Sequence, residues 1–359
     1  MVLFPEMALE SANKGINLWA EAVLPSLLPF FICANFMISL GVPGLVGRLF
    51  ENLFQKIFGV PGSSAFVFII SISSGYPMGP KLIGDMGRRG EITDKDAKKM
   101  LTFCSTSGPL FMLGTVGVGM FHSPLCGTLI AISHYIGALL NGLLFNLLTT
   151  NDKKIAHERK YNRTIRLREE SVLELFTNSI ISSLKTLGVI CCYIIIFVMI
   201  TDFIELSGLL DSLSSDYQRG FLKGLLEITI GSYELSLSNG IGLRMKCVLA
   251  TFIISFGGIS TLGQSMSVMY GLRISIWDYL KAKLSHGLIA GLVAYVLSPY
   301  ILNKAVYTVG AFKYSSVDFD LGVLSQLIFS TRMIIIILVI FTISIGLDYI
   351  LSRKAEQLA

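Results

Sequence analysis

Apolar positions in this 359-residue chain come in long runs and show no strand-like alternation. Windows free of Asp, Glu, Lys and Arg cover Ala22–Gly47, Pro61–Pro80, Met100–Asn151, Thr186–Thr201, Cys247–Leu272, Leu284–Asn303 and Met333–Leu347. Most reach, or nearly reach, the about 20 residues of a membrane-spanning helix. Some are broken midway by small residues and proline. Phe66-Val67-Phe68-Ile69-Ile70 runs into Ser73-Ser74-Gly75-Tyr76-Pro77-Met78-Gly79-Pro80, and the run from Met100 is broken at Ser105-Thr106-Ser107-Gly108-Pro109. At membrane depth an unpaired backbone group costs several kcal/mol, so a broken helix persists only where it lines a cavity or is buried in protein. Transporters build binding sites from such breaks.

The pattern predicts a first span over about 16–40 containing Pro25 and Pro29, then an interfacial helix over 45–58 with apolar Leu45, Leu49, Leu53 and Phe54. A re-entrant hairpin follows over 63–88, turning at Gly75. Thr93 is placed to cap the next helix, with Asp94 and Asp96 in its first turn. That helix becomes a broken span over 98–121, and a third span covers 125–148. After the charged stretch 152–170 the order recurs, roughly 150 residues later. Ser179–Thr201 matches the first span. Phe221–Ile230, broken at Gly231-Ser232-Tyr233-Glu234, matches the hairpin. Met245–Phe256, broken at Gly257-Gly258-Ile259-Ser260, matches the broken span, and Trp277–Ile301 matches the third. His134 and His286 fall at corresponding places, and a last helix covers 333–351.

The expected fold is an all-α polytopic membrane protein of two inverted repeats with re-entrant hairpins and broken helices. It has about seven crossings plus two hairpins. Its parts are a first repeat (1–150), a basic cytoplasmic loop (151–171), a second, inverted repeat (172–302), and an extra-cytoplasmic segment with a C-terminal helix (303–359).

Composition agrees: 53% of residues are hydrophobic and 15% charged, with a mean hydropathy of +0.68, outside the range of soluble domains. The net charge of +5 lies in flanking loops and reports topology, not nucleic-acid binding. Placing the central basic loop in the cytoplasm also puts the 88–99 loop and the C-terminal Arg353 and Lys354 there. The N-terminus and the acidic stretch with Asp202, Glu205, Asp211 and Asp216 then lie outside, against which only Arg244 and Lys246 run. Met1–Gly15 lacks the basic start of a cleaved signal peptide, so the first span is expected to be retained. The six cysteines read as small core residues.

Each break exposes helix ends, and an N-terminal end carries about half a positive charge. Pro77, Pro80 and Pro109 suit the first turns of the restarting helices, and Gly75, Gly108, Gly257 and Gly258 let backbone approach a ligand. Ser74, Ser105, Thr106, Ser107, Ser232, Ser260 and Thr261 add neutral donors, and Tyr76 and Tyr233 can stack on a planar ring. Lys81, Glu227 and Glu234 are charges beside the breaks and functional candidates for that reason. Lys81 is free to pair with a solute or with Glu234, and Gln264 follows the last break. Against this stands the plainer reading of kinked, packed helices; recurrence of the breaks in both halves favours the site. Gly114, Gly117 and Gly119 read as a packing face, and His134 and His286 as hydrogen-bonded core histidines before proton carriers.

The sequence carries no P-loop, metal-ligand spacing or nucleophile–base pair, so neither an enzyme nor a cofactor or metal is expected. Partners to expect are a small-molecule solute and the lipid bilayer, with self-association or other membrane proteins left open.

Ser74 to Pro80, Phe103 to Met112 and Gly117-Val118-Gly119-Met120-Phe121 resemble the YlbJ (SpoVV) family of sporulation integral membrane proteins. So do Trp19 with Val23 to Phe30, Leu226-Glu227-Ile228-Thr229, and Phe256 to Ser260 followed by Gln264. Thr261-Leu262-Gly263 departs from the pattern. That family is similar to gate-domain proteins, whose broken segments resemble the hairpins of concentrative nucleoside transporters. The resemblance implies export of dipicolinic acid from the mother cell across the outer forespore membrane. A planar dianion suits converging helix N-termini, although a nucleoside or nucleobase fits them too. A non-transporting scaffold for spore-envelope (cortex) assembly is the alternative of another class.

Overall fold

Long apolar runs become long helices here, and the runs interrupted by Gly and Pro become pairs of short ones. The structure is a computed structural model, described over residues 4–149, 171–210, 213 and 215–302. Most of the expected basic loop, and everything beyond Leu302 including the expected helix at 333–351, lie outside the described residues.

Helix α1 (Pro5–Leu18) widens into a π-helical stretch at Trp19–Val23 and continues as α2 (Leu24–Ser39). The widening lies where Pro25 and Pro29 withdraw amide donors from the preceding turns. Gly41, at φ +79°, turns the chain into α3 (Val42–Phe58). This helix lies 80° from Leu27–Ser39. It buries Phe54 and Phe58, with Phe58 stacked on Phe103 at 4.4 Å, and leaves Leu49 and Leu53 exposed.

The expected hairpin forms from α4 (Ser64–Ser74) and α5 (Met78–Arg88), with the reversal at Gly75-Tyr76-Pro77. Gly79 lies so close to Ser71 and the Cys104 carbonyl that a methyl group there would overlap both. The Thr93–Asp96 capping box opens α6 (Asp94–Cys104), as the sequence predicts. Residues 105–108 are non-helical, and the chain resumes as a π-helix over Leu110–Met120 before α7 (Pro124–Leu148).

The second half supplies α8 (Val172–Leu206), α9 (Asp216–Leu226), α10 (Ile228–Leu237), α11 (Leu243–Phe256), α12 (Gly258–Val268) and α13 (Ile276–Leu302). Its order repeats that of the first half from α4 onward. One boundary differs from expectation. The second hairpin breaks at Glu227, and the chain is helical through Gly231-Ser232-Tyr233-Glu234. The Glu227 carboxylate accepts from the amides of Thr229 and Ile230, each at 2.8 Å, and so caps α10. Gly231 stays helical because its bare Cα packs on Gly224 of α9. The last break is also shorter than expected: Gly257 alone, at φ +89°, separates α11 from α12.

Among the described residues, four helical stretches are long and apolar enough to cross a bilayer: 124–148, 172–206, 243–268 and 276–302. Counted as one span, the bent pair of Leu27–Ser39 and Val42–Phe58 brings the number to five. Small residues sit at the close contacts, Gly137 on Ala290 between α7 and α13, and Gly117 on Gly127. Gly114 and Gly119 meet no neighbouring helix, so only Gly117 of the expected packing face serves that role.

Gly79→Ala and Gly231→Ala each push a methyl group into backbone and are expected to destabilise by about 1–3 kcal/mol. Gly188, with open space around it, should tolerate alanine in the same thermal-unfolding assay in detergent. Glu227→Ala, which strips the α10 cap, should cost about 0.5–2 kcal/mol. In that assay Tyr233→Ala, at a side chain 53% exposed, should stay within about 0.5 kcal/mol.

Candidate functional site

Within each half the two breaks touch. A Cβ on Gly75 would stand 2.6 Å from the Gly108 amide nitrogen, and one on Gly258 would stand 3.1 Å from the Leu226 carbonyl oxygen. Only glycine permits either approach, since Gly75 and Gly258 also hold φ at +80° and +67°.

Hydrogen bonds then join the halves. Helix α11 ends at the fourth break, Gly257, with carbonyls that have no intrahelical partner. The Tyr76 hydroxyl, from the first break, donates to the Ile254 carbonyl at 3.1 Å. Helix α6 ends at the second break, and there the Ser105 carbonyl accepts from Lys283 of α13 at 2.8 Å. Each half's exposed helix end is thus met by a side chain of the other.

Lys283 is the centre of the arrangement. It is 1% exposed, and its Nζ also donates to the Tyr76 hydroxyl at 2.7 Å and to His286 Nδ1 at 3.3 Å. Its Cε would lie 3.5 Å from a Cβ on Gly257, so it spans the second and fourth breaks. Among the described residues no carboxylate lies within ion-pairing distance of it.

The two histidines support this centre. His286 Nε2 bonds the His134 carbonyl at 3.0 Å, and because a carbonyl only accepts, Nε2 carries the hydrogen and Nδ1 faces Lys283 as acceptor. The Ser107 amide donates to His134 Nε2 at 2.9 Å, which leaves Nδ1–H to bond the Ser255 hydroxyl at 2.7 Å. Both rings are buried and fully engaged, as expected of core histidines. Tyr135 donates to the Ser107 carbonyl at 3.1 Å. Ser105 Oγ, Tyr279 and Ser265 form a further chain of hydroxyls at 2.8 and 2.9 Å. Asn141 ties the Thr102 carbonyl to the Ala282 carbonyl at 2.8 and 3.0 Å.

Of the residues singled out in sequence, Ser74, Gly75, Tyr76, Ser105, Thr106, Ser107, Gly108, Gly257 and Gly258 lie at this centre or line the breaks beside it. Pro77 and Pro109 precede the first turns of their helices. Glu227 is spent as a cap, and Gln264 donates to Ser260 Oγ at 3.3 Å. Ser232 is buried, its hydroxyl unpartnered.

Three of the singled-out residues have other surroundings than this centre. Tyr233 faces outward, because the unbroken α10 turns it away. Glu234 pairs with Lys223 at 2.5 Å, and Lys223 also reaches Glu205 at 3.1 Å. Lys81 therefore does not meet Glu234; it bonds Asn35 at 2.7 Å and Asp85 at 2.9 Å, one turn along its own helix. The decisive residue, Lys283, was read as the edge of a charge-free window. The usable signal was its place on the buried stripe Tyr279, Ala282, Lys283, His286, Gly287, Ala290, while Lys281 lies on the exposed face.

No family model matches the chain. It is 29% identical over 335 residues to the sporulation integral membrane protein YlbJ of Bacillus subtilis (strain 168), covering 86% of this chain and 80% of that one. Among solved structures it is similar to a variant of the nucleoside transporter CNTnw in an outward-facing state, with a TM-score of 0.52. That likeness covers 80% of this chain and 83% of the other, at 15% identity, and it concerns the fold. The resemblance to the YlbJ family seen in the motifs therefore holds over most of the chain, which is a multi-pass membrane protein with a transporter-like fold.

Proposed function

We propose that this protein is a membrane transporter carrying a small planar dianion, dipicolinate, from the mother cell across the outer forespore membrane. The observation that carries the reading is the meeting of three helix breaks at the buried Lys283, with the break at Glu227 touching the last of them through Gly258. Interrupted backbone and a buried cation are both costly at membrane depth, and both suit a site for a polar solute. The sporulation relative supports the cellular setting.

Transport proceeds by alternating access between two inverted repeats. Helix α5 of the first hairpin lies against α12, and α10 of the second lies against the 110–120 segment. This exchange of neighbours is what a pseudo-two-fold relation requires. In this conformation the centre is closed, with Lys283, Tyr279, Thr106, His134 and His286 almost wholly buried. A solute enters only when the halves part at the Tyr76 and Ser105 contacts. The N-terminus lies outside and the basic loops in the cytoplasm, following the positive-inside rule. No catalytic step is assigned. Nucleoside transport is the second reading, favoured by the fold shared with CNTnw.

Uptake of labelled dipicolinate into liposomes holding the full chain tests the proposal. Saturable uptake is expected, inhibited by unlabelled dipicolinate and unaffected by excess uridine. Gly108→Leu, which forces a side chain against Ser74 and Gly75, should abolish it at unchanged incorporation. Inhibition by uridine would move the reading to nucleosides. Absence of uptake for both solutes would leave the scaffold role.

A further inference from the structure

Three buried lysines serve the described helices, and only one lacks an anion. Lys81 has Asp85 at 2.9 Å, and Lys223 has Glu234 at 2.5 Å and Glu205 at 3.1 Å. Lys283 has the Tyr76 hydroxyl, the Ser105 carbonyl and His286 Nδ1. Three acceptors match the three hydrogens of an ammonium; a neutral amine would have only two to give. The ring of Tyr76 adds a fourth neutral contact, with Nζ 4.7 Å from its centroid. A cation solvated only by dipoles is poised to exchange the two that belong to other helices for a carboxylate, because a charge-assisted pair is stronger than the neutral bonds it replaces.

We infer that Lys283 is the charge-selecting residue of the solute site and that it binds a carboxylate group of a planar acid. The inference deepens the proposed function and rests on it. Two of the acceptors to be displaced, Tyr76 and Ser105, belong to the first two breaks, whereas His286 shares α13 with Lys283. A carboxylate that takes the ammonium therefore removes Lys283's own bonds to the first half's breaks while leaving Lys283 anchored to its own helix, and the Tyr279–Ser105 bond is then what still joins α13 to the second break. Recognition of the anion and loosening of the closed centre are one event. A neutral solute offers no stronger acceptor than those already present, so it gains nothing by displacing them.

The test is equilibrium binding to the full chain in detergent, by calorimetry, with three probes: dipicolinate, its neutral diamide, and uridine. Lys283→Gln keeps amide donors for Ser105 and Tyr76 but removes the charge, and its thermal unfolding is recorded alongside. Wild type should bind dipicolinate more tightly than the diamide. Lys283→Gln should weaken dipicolinate by about tenfold or more and leave the diamide unchanged. Lys81→Gln, at a lysine that keeps its own carboxylate, should change neither affinity by more than about twofold.

Should Lys283→Gln prove unfolded, the wild-type preference for dicarboxylate over diamide remains the criterion. Equal affinity for the two overturns the inference, as does a folded Lys283→Gln that binds dipicolinate normally, while transport measured in liposomes would still stand. A wild type that prefers uridine, or that binds none of the three, also overturns it. Binding lost in Lys283→Gln, with no uptake in liposomes, retires transport and retains Lys283 as an anion site.

Discussion

A helix interrupted inside a bilayer leaves carbonyls at one end and amides at the other without partners, and no water is present to take them. The centre of this protein is built to meet that demand. Ser71 donates to the Cys104 carbonyl at 2.5 Å, Lys283 to the Ser105 carbonyl, and Tyr76 to the Ile254 carbonyl. Glu227 meets the amides that start α10, and His134 meets the Ser107 amide. Side chains here complete the backbone first, and any solute chemistry is performed by the same groups.

The solution is shared unequally between the halves. The first half terminates α6 with a non-helical stretch, so its carbonyls and amides need hydroxyls, a histidine and a lysine. The second half breaks more economically, at single residues, with Glu227 capping one restart and Gly257 turning the other. What the second half saves in breakage it lends across the interface, since α13 carries Lys283, His286 and Tyr279 toward the first half's break. Neither half's interrupted helices are satisfied without the other. Such mutual completion lets two halves hold a closed state firmly while a change at one contact is felt by both.

Much of this was legible in the chain. Charge-free windows gave α7, α8 and α13, and Thr93 with Asp96 gave the start of α6. Gly75 and Gly108 gave the first two breaks, because no other residue explains glycine beside proline within an apolar run. Where sequence misled, a local cue competed with a distant one. Gly231-Ser232-Tyr233 carries the composition of a break, yet Gly231 serves helix contact with Gly224, and the break belongs to a carboxylate that caps its own following amides. Proximity to Gly75 made Lys81 attractive, but distance along the chain says nothing about an Asp one turn further on. The same limit hid Tyr279 and Asn141, whose partners lie far away in sequence.

Those lysines also show why burial alone is a poor guide to function in a membrane protein. Lys81 and Lys223 are as inaccessible as residues in the core, but each is neutralised by a carboxylate, and each ties a hairpin to a neighbouring helix. Such pairs hold charge in the membrane at modest cost by satisfying it locally. At Lys283 the protein withholds the anion and supplies oxygen and nitrogen dipoles instead. Packing would have been served equally well by a leucine, and backbone satisfaction by a glutamine. A lysine there meets the Ser105 carbonyl, the Tyr76 hydroxyl and His286 Nδ1 at once, which neither of those residues could do. Under the proposed function, the solute's carboxylate is the anion that this cluster itself does not supply among the described residues.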